Sequence, residues 1–83
     1  MKKDDWLGLF EQKGWLKSGK IVSPKGLKIL INFGRGENTT TIYPEDIVEI
    51  SDEFIVATWQ DVGGYRRWTW FHWSDISSVT LRQ

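Results

Sequence analysis

From Leu27 onward the chain is a series of short β-branched and aromatic runs separated by turn signals. Residues of these types favour extended strands, whereas the glycine, proline and aspartate between the runs favour turns. Runs so short and so closely spaced are typical of a small all-β domain. We therefore predict five strands, over residues 27–33, 39–43 with a continuation at 47–50, 53–60, 65–73 and 76–81.

Two of the turns have a clear sequence mechanism. In the segment 23–26 (SPKG), Pro24 presets the backbone φ angle of the second turn position and Gly26 relieves the fourth. In the segment 61–64 (DVGG), the two glycines tolerate the positive φ angles that hairpin turns require. The second turn predicts that the strands 53–60 and 65–73 form a hairpin.

The segment before the strands has a different periodicity. Trp6 and Phe10 lie four residues apart, so they share one face of a helix. Asp4 and Asp5 favour the helix start, and Gly14 suits the position just past its end. The pattern predicts a short amphipathic helix over residues 4–13, which is too short to be stable unless its aromatic face packs on the strands.

The length and the aromatic content limit how the strands pack. The 83 residues are enough for one domain, residues 1–83, and too few for two. The chain has no cysteine, so six Trp, four Phe and two Tyr must supply the core. A curled five-stranded barrel over residues 27–81, capped by the helix, leaves few open strand edges. We therefore predict this mainly β fold.

The composition excludes several kinds of site. Without cysteine and with a single histidine, His72, the chain has neither a thiolate zinc site nor a multi-histidine metal centre. Glu45 and Asp46, like Asp52 and Glu53, are sequence neighbours, so in a strand they point to opposite faces and form no acid–base pair by themselves. There is no phosphate loop and no nucleophile elbow. We predict no enzyme activity, no metal and no cofactor.

The N-terminus does not have the pattern of a targeting segment. Lys2 and Lys3 are basic, but no apolar run of signal-peptide length follows them. No segment approaches the roughly 20 apolar residues of a membrane span. We expect a cytoplasmic protein without a membrane partner.

The charges are segregated along the chain although they cancel in total. All charged residues between positions 13 and 36 are basic, and all those between 37 and 61 are acidic. The last part of the chain is basic again at Arg66, Arg67 and Arg82. Two interpretations are open: a dipolar surface whose basic side attracts phosphate, or neighbouring strands whose opposite charges pair.

Four segments of the strand region carry a family resemblance: LKILINF (27–33), TTIYP (40–44), FIVA (54–57) and WFHWSDISSV (70–79). In this order they resemble a WYL domain, a small Sm-like barrel of bacterial regulators. The N-terminal helix, SDEFIVAT (51–58) and DISSV (75–79) are also similar to Hfq, to other bacterial Sm-like proteins and to the Sm-like inhibitor of Rho. The resemblance implies a small Sm-like barrel of bacterial or phage origin with a regulatory role.

The positions that carry the ligands in these families differ here. The name-giving tripeptide of WYL domains reads Glu53-Phe54-Ile55, and Asp75 and Thr40 stand where arginines are usual. The lysine-histidine RNA motif of Hfq falls near Trp73 and Ser74. The resemblance therefore implies the fold and not the families' ligand pockets.

The segment 65–73 (YRRWTWFHW) is the densest candidate site. Because alternate residues of a strand share a face, Arg66, Trp68, Trp70 and His72 lie on one side, and Tyr65, Arg67, Thr69, Phe71 and Trp73 on the other. Both sides are bulky, so one set can fill the barrel while the other either faces outward or packs under the N-terminal helix or a second subunit. The first hypothesis is a surface for RNA or single-stranded DNA, with stacking indoles and basic side chains. Its predicted residues are Arg66, Arg67, Trp68, Trp70, His72, Lys25, Lys28 and Arg35.

A second hypothesis uses the same aromatic surface for a protein. Excess aromatic side chains and open strand edges fit a homo-oligomer, or an inhibitor of a partner protein, equally well. The other indoles have more ordinary predictions: Trp59 belongs to the core beside Ile55 and Ala57, while Trp6 and Trp15 join the helix to the strands.

Overall fold

The computed structural model describes all 83 residues as a mainly β domain with one N-terminal helix. The helix α1 spans Lys3–Lys13, and the strands are β1 (Leu16–Lys17), β2 (Lys20–Ile21), β3 (Lys28–Phe33), β4 (Thr40–Ile42), β5 (Ile47–Ile50), β6 (Phe54–Gln60), β7 (Arg66–His72) and β8 (Ile76–Arg82). Two 3₁₀ turns, Pro44–Asp46 and Trp73–Asp75, lie between strands. The predicted helix and strand runs are thus confirmed to within two residues at each end. None of the helical segments has the length and apolar content that crossing a bilayer requires.

The helix α1 forms for the reasons that its sequence indicates. The carboxylate of Asp5 accepts a hydrogen bond from the backbone N–H of Lys2 at 2.9 Å, which ties down the start. Gly14 ends the helix at φ 80°, in the left-handed region that glycine adopts readily. Trp6 and Phe10 are the buried residues of the helix, and Trp15 packs against the same cluster. The predicted role of Trp6 and Trp15 in joining the helix to the strands is confirmed.

The strands form three sheets, so the predicted five-stranded barrel is wrong in strand number and in closure. A three-stranded sheet has the order β4-β3-β8, a second has the order β5-β6-β7, and β1 pairs only with β2. The sheets do not close into a barrel. The physical reason is that Pro44 begins a 3₁₀ turn that separates β4 from β5, so the two belong to different sheets. The turn Trp73–Asp75 passes the chain back from β7 to β8.

The core lies where the two three-stranded sheets and α1 meet. Its central residues include Ile29, Ile31 and Ile55, all without exposed surface. Phe33 of β3 stacks on Phe71 of β7 with ring centroids 4.4 Å apart, which joins the two sheets. Phe71 therefore packs against the core as the alternation of the strand predicts, but the rings on its face are not all buried, since Tyr65 is 74% exposed.

Trp73 closes the core at the end of β7. It is 2% exposed, and its indole Nε1 donates a hydrogen bond to the backbone carbonyl of Ser51 at 2.9 Å. Its backbone N–H donates to the carbonyl of Glu53 at 3.2 Å. The side chain thus buries a large apolar surface and also satisfies its one polar group.

The β6–β7 hairpin projects beyond this core. Ile55, Val56 and Ala57 are buried, whereas Trp59 and all following residues up to Arg67 except Asp61 are exposed. The connecting loop is a turn with a hydrogen bond from the N–H of Gly64 to the carbonyl of Asp61, and Gly64 has φ 82°. This combination of a turn and a left-handed glycine is a common three-residue hairpin loop. The predicted hairpin turn over 61–64 is therefore confirmed, and both faces of the distal hairpin are open to solvent.

Candidate functional site

Arg66, Trp68, Trp70 and His72 lie on one side of β7, which we call the outer face of β7. All four are exposed, and the indoles of Trp68 and Trp70 are 54% and 58% accessible. Two residues along a strand span about 7 Å, so the indoles stand on neighbouring positions of one face. The rings of Trp68 and Trp70 therefore lie at the surface, where a ligand can reach them.

The outer face of β7 rests on side chains of β6. The cross-strand neighbours of Trp70 and Trp68 are Val56 and Thr58. Val56 is only 3% exposed although it is not part of the main core cluster, so Trp70 and its neighbours cover it on the outer side of the sheet. The indoles therefore stand on a packed sheet rather than on a loop.

The two ends of the outer face carry its polar groups. At one end, the ring of His72 lies 4.5 Å from the ring of Phe54, centroid to centroid. At the other end, the Arg66 guanidinium donates a long hydrogen bond of 3.4 Å to the Thr58 hydroxyl. A bound molecule can therefore meet a cation, two indoles and an imidazole in one row.

Trp59 is not a core residue, so that prediction is wrong. It is 44% exposed on the opposite side of the hairpin, where its indole Nε1 donates to the Thr69 hydroxyl at 2.9 Å. The Arg67 guanidinium lies 5.9 Å from its ring centroid, a cation–π distance. Trp59 does lie on the same face of β6 as Ile55 and Ala57, but the buried part of that face ends at Ala57. The pairing of Trp59 with Arg67, a charged neighbour, is the signal that could have shown this.

Asp61 holds the tip of the hairpin in one conformation. Its carboxylate accepts hydrogen bonds from the Arg67 Nε at 2.7 Å and from the backbone N–H groups of Tyr65 and Gly63 at 3.0 and 2.9 Å. The hydrogen bond from Arg67 is the main reason why the pKa of Asp61 is lowered, and the bond from Tyr65 adds to it. These bonds stabilise the ionised form and order Arg67 against Trp59.

Acid is expected to loosen the hairpin tip. Because the pKa of Asp61 lies below its ordinary value of 3.8 in the folded chain, the carboxylate contributes stability above that value, and this contribution is lost as the pH falls through the lowered pKa. Amide NMR signals of Gly63 and Tyr65, followed against pH, should move together with a midpoint below 3.8. Asp61→Asn should abolish this transition, and a midpoint at or above the ordinary value would contradict it.

A shallow groove follows the free edge of β7. Its volume is about 540 Å³, and we call it the edge groove; it is lined by Trp59, Arg66, Arg67, Trp68, Thr69 and Trp70. The lining includes side chains from both faces of the hairpin, since β7 pairs only with β6 and its other edge is open. The aromatic surface therefore continues around the strand. Trp59 and Thr69 are the members of this surface that the sequence did not indicate.

The three other predicted basic residues lie elsewhere. Lys25 is in the turn before β3, Lys28 begins β3, and Arg35 is in the turn after β3. The Lys28 ammonium lies 5.7 Å from the centroid of the Tyr43 ring, and its cross-strand partner is Arg82. None of the three lines the edge groove. The structure thus brings together Arg66, Arg67, Trp68 and Trp70 and places the lysines and Arg35 on or beside the other three-stranded sheet.

The acidic segment 37–61 contributes the carboxylate of both ion pairs, but neither pair involves the basic segment 13–36. The two ion pairs of the structure join Lys3 to Asp52 at 3.1 Å and Arg67 to Asp61 at 2.7 Å. The Arg67–Asp61 pair joins the acidic segment to the basic last part of the chain, so opposite charges do pair there, whereas the basic segment 13–36 forms no ion pair. The lining of the edge groove contains two arginines, of which Arg67 is paired with Asp61 and Arg66 has no carboxylate partner.

The groups that line the edge groove are aromatic rings, guanidinium groups and a hydroxyl. No group of three or more His, Asp or Glu side chains is placed to hold a metal ion. The edge groove contains no nucleophile beside a general base, because its polar groups are guanidinium, indole N–H and hydroxyl groups. The absence of enzyme activity stays a prediction.

Comparison with known proteins leaves the family undecided. No family model matches this chain, and neither a curated protein nor a solved structure does. The resemblance to WYL and Sm-like domains therefore stays a prediction from the residues.

Proposed function

We propose that this protein is a non-catalytic regulatory module that binds RNA or single-stranded DNA on the outer face of β7. Trp68 and Trp70 stack on bases, and Arg66 neutralises phosphate. His72 adds a hydrogen bond at the end of the row. Arg67, whose charge is compensated by Asp61, lines the other side of the edge groove beside Trp59.

The observation that carries this proposal is the exposure of two indoles on one face of one strand. A tryptophan is strongly favoured in cores and interfaces, and exposed apolar patches mark binding surfaces. Here other rings fill the core, with Phe10, Phe33 and Trp73 buried. Trp68 and Trp70 are not part of the main core cluster, although Trp70 covers Val56 on the outer side of the sheet.

The ligand is single-stranded because stacking needs free base faces. In a duplex each base is already stacked on its neighbours, whereas an unpaired strand exposes its bases to aromatic side chains. The spacing of about 7 Å between alternate residues is roughly twice the 3.4 Å rise between stacked bases. Such a row suits two separated bases, or one base between the rings.

Replacing Arg66 by glutamine is expected to weaken binding to a fluorescein-labelled oligouridine or oligothymidine by about fivefold, equal to about 1 kcal/mol. The salt dependence of the affinity should also flatten by about 0.7 in log–log slope, since one phosphate contact is lost from a single strand. Fluorescence anisotropy between low and physiological salt measures both quantities.

The matched control is Arg82→Gln, which removes an exposed arginine from β8 on the other sheet. It should leave both the affinity and the slope unchanged. Equal effects of the two changes would mean that the affinity depends on the net charge of the protein and not on a contact at the outer face of β7. Failure of the wild-type protein to bind either oligonucleotide would overturn the proposal.

A second candidate function is a protein-interaction module. It is favoured by the edge groove, in which an unpaired strand edge has indoles on both sides. An extended segment of a second copy or of a partner protein can add to such an edge and bury the rings. Binding of this kind should barely change with salt, and a monomeric mass in solution would count against self-assembly.

We also propose a relation to Sm-like regulatory domains and a site of action in the cytoplasm, where the proposed ligands occur. The support for the relation is the order of a helix followed by antiparallel strands, with a bent passage at Pro44 and a final strand that pairs back on β3.

A further inference from the structure

A cleft on another part of the molecule is independent of β7. Its volume is about 760 Å³, and it lies between residues 18–23 on one side and residues 44–50 on the other. We call it the β2–β5 cleft. It shares no residue with the edge groove. It is open enough to receive a chain segment from outside.

The walls of the cleft are strand edges. The residues of β2 and β5 line it, whereas those of their pairing partners β1 and β6 do not. Each of the two strands is paired on one side only, so their unpaired edges face the cleft. An unpaired edge is a template for another strand.

The turn after β5 shows which backbone groups of β5 point toward its open edge. The N–H of Ser51 donates to the carbonyl of Phe54 at 2.9 Å, and Ile50 stands opposite Ile55. In an antiparallel pair, residues next to such a bonded position direct their backbone groups away from the partner strand. The N–H and C=O of Ile50 therefore point away from β6, toward the open edge.

The floor and rim of the cleft are apolar. Ile21 and Pro44 are buried at its base, and Ile47 and Ile50 are half-buried. Val48 is exposed on the rim. An incoming strand would cover these side chains with every second residue of its own.

The charged side chains that line the cleft indicate which kind of segment it can bind. Its β5 wall carries the carboxylates of Glu45 and Glu49, and neither has a basic partner. Lys20, on the β2 wall, is the one basic side chain of the lining. Two unpaired carboxylates disfavour a phosphate backbone and favour a segment with lysine or arginine.

We propose that the β2–β5 cleft binds an extended segment of a partner protein, with alternating apolar and basic residues, by strand addition to the edge of β5. The apolar side chains cover Ile47 and Ile50. The basic side chains meet Glu45 and Glu49, while the backbone of the segment pairs with that of Ile50.

The test uses the whole chain, labelled with ¹⁵N, and a short capped peptide of alternating valine and lysine. NMR signals of Lys20–Val22 and Ile47–Ile50 should shift on titration, and those of β7 should not. The corresponding valine–glutamate peptide should bind at least fivefold more weakly. Glu49→Lys should weaken the lysine peptide by about two- to fivefold, as expected for an exposed ion pair.

Backbone pairing is tested by changing the peptide, so that folding of the protein is not at risk. In an added strand only alternate N–H groups face the protein. Methylating the nitrogens of one alternate set should weaken binding at least tenfold, and methylating the other set should have little effect. Equal effects of the two sets, shifts on β7 instead of β5, or equal binding of the glutamate peptide would each overturn the proposal.

Discussion

Replacing Trp68 and Trp70 together by leucine is expected to lower the affinity for single-stranded nucleic acid by about 30-fold or more. Stacking of a base on an aromatic ring contributes about 1–3 kcal/mol, so two rings contribute at least about 2 kcal/mol. Leucine has no aromatic face but keeps apolar cover over Val56, which Trp70 shields. Fluorescence anisotropy with a labelled oligouridine measures the loss.

Two controls make this result specific. Leu81→Ala changes an exposed apolar residue of β8 and should leave the affinity unchanged. Circular dichroism and thermal unfolding should show that the leucine variant keeps the fold, because both indoles are more than half exposed. A leucine variant that binds the oligonucleotide as well as wild type would refute stacking. If the leucine variant binds both the oligonucleotide and a protein partner as well as wild type does, binding depends on the apolar surface and not on the aromatic rings.

Replacing Trp73 by alanine is expected to destabilise the protein by about 3–5 kcal/mol, the usual cost of removing a buried tryptophan. Trp73 is 2% exposed, and its loss would also remove the hydrogen bond to the Ser51 carbonyl. A domain of this length has a total stability of about 4–12 kcal/mol. Urea unfolding should therefore show a midpoint well below that of wild type, since the loss is a large fraction of the total stability.

Trp73→Phe separates the two contributions of this side chain. It keeps most of the apolar volume and loses the indole N–H, so it should cost clearly less than the alanine change but more than the exposed Trp68→Ala. The latter should lie within about 0.5 kcal/mol of wild type, since Trp68 is a surface residue. Similar losses for Trp73→Ala and Trp68→Ala would mean that the core does not lie where we describe it.

Much of the local structure could be predicted from the residues. The end of α1 follows from Gly14, and the hairpin turn follows from Gly63 and Gly64. The division of segment 65–73 into two faces follows from the alternation of side chains in a strand. An outward-facing set was one of the two outcomes that the surplus of rings left open, and the structure shows it, with Trp68 and Trp70 exposed. Which set would be buried could not be predicted.

The arrangement of the sheets could not be predicted in the same way. The interruption at Pro44 was visible, but its effect of separating β4 and β5 into two sheets depends on the direction in which the turn redirects the chain. The position of Trp59 outside the core and the distance of Lys25, Lys28 and Arg35 from the edge groove depend on the same arrangement.

The sequence by itself determined which segments are helical or extended, where they turn, and which side chains share a face, because these properties depend on neighbours along the chain. Only the tertiary structure decided how far the core reaches along the β6–β7 hairpin and which strand edges stay open. Those properties depend on the packing of residues that are distant in sequence, such as Phe33 on Phe71 and Trp73 on the carbonyl of Ser51.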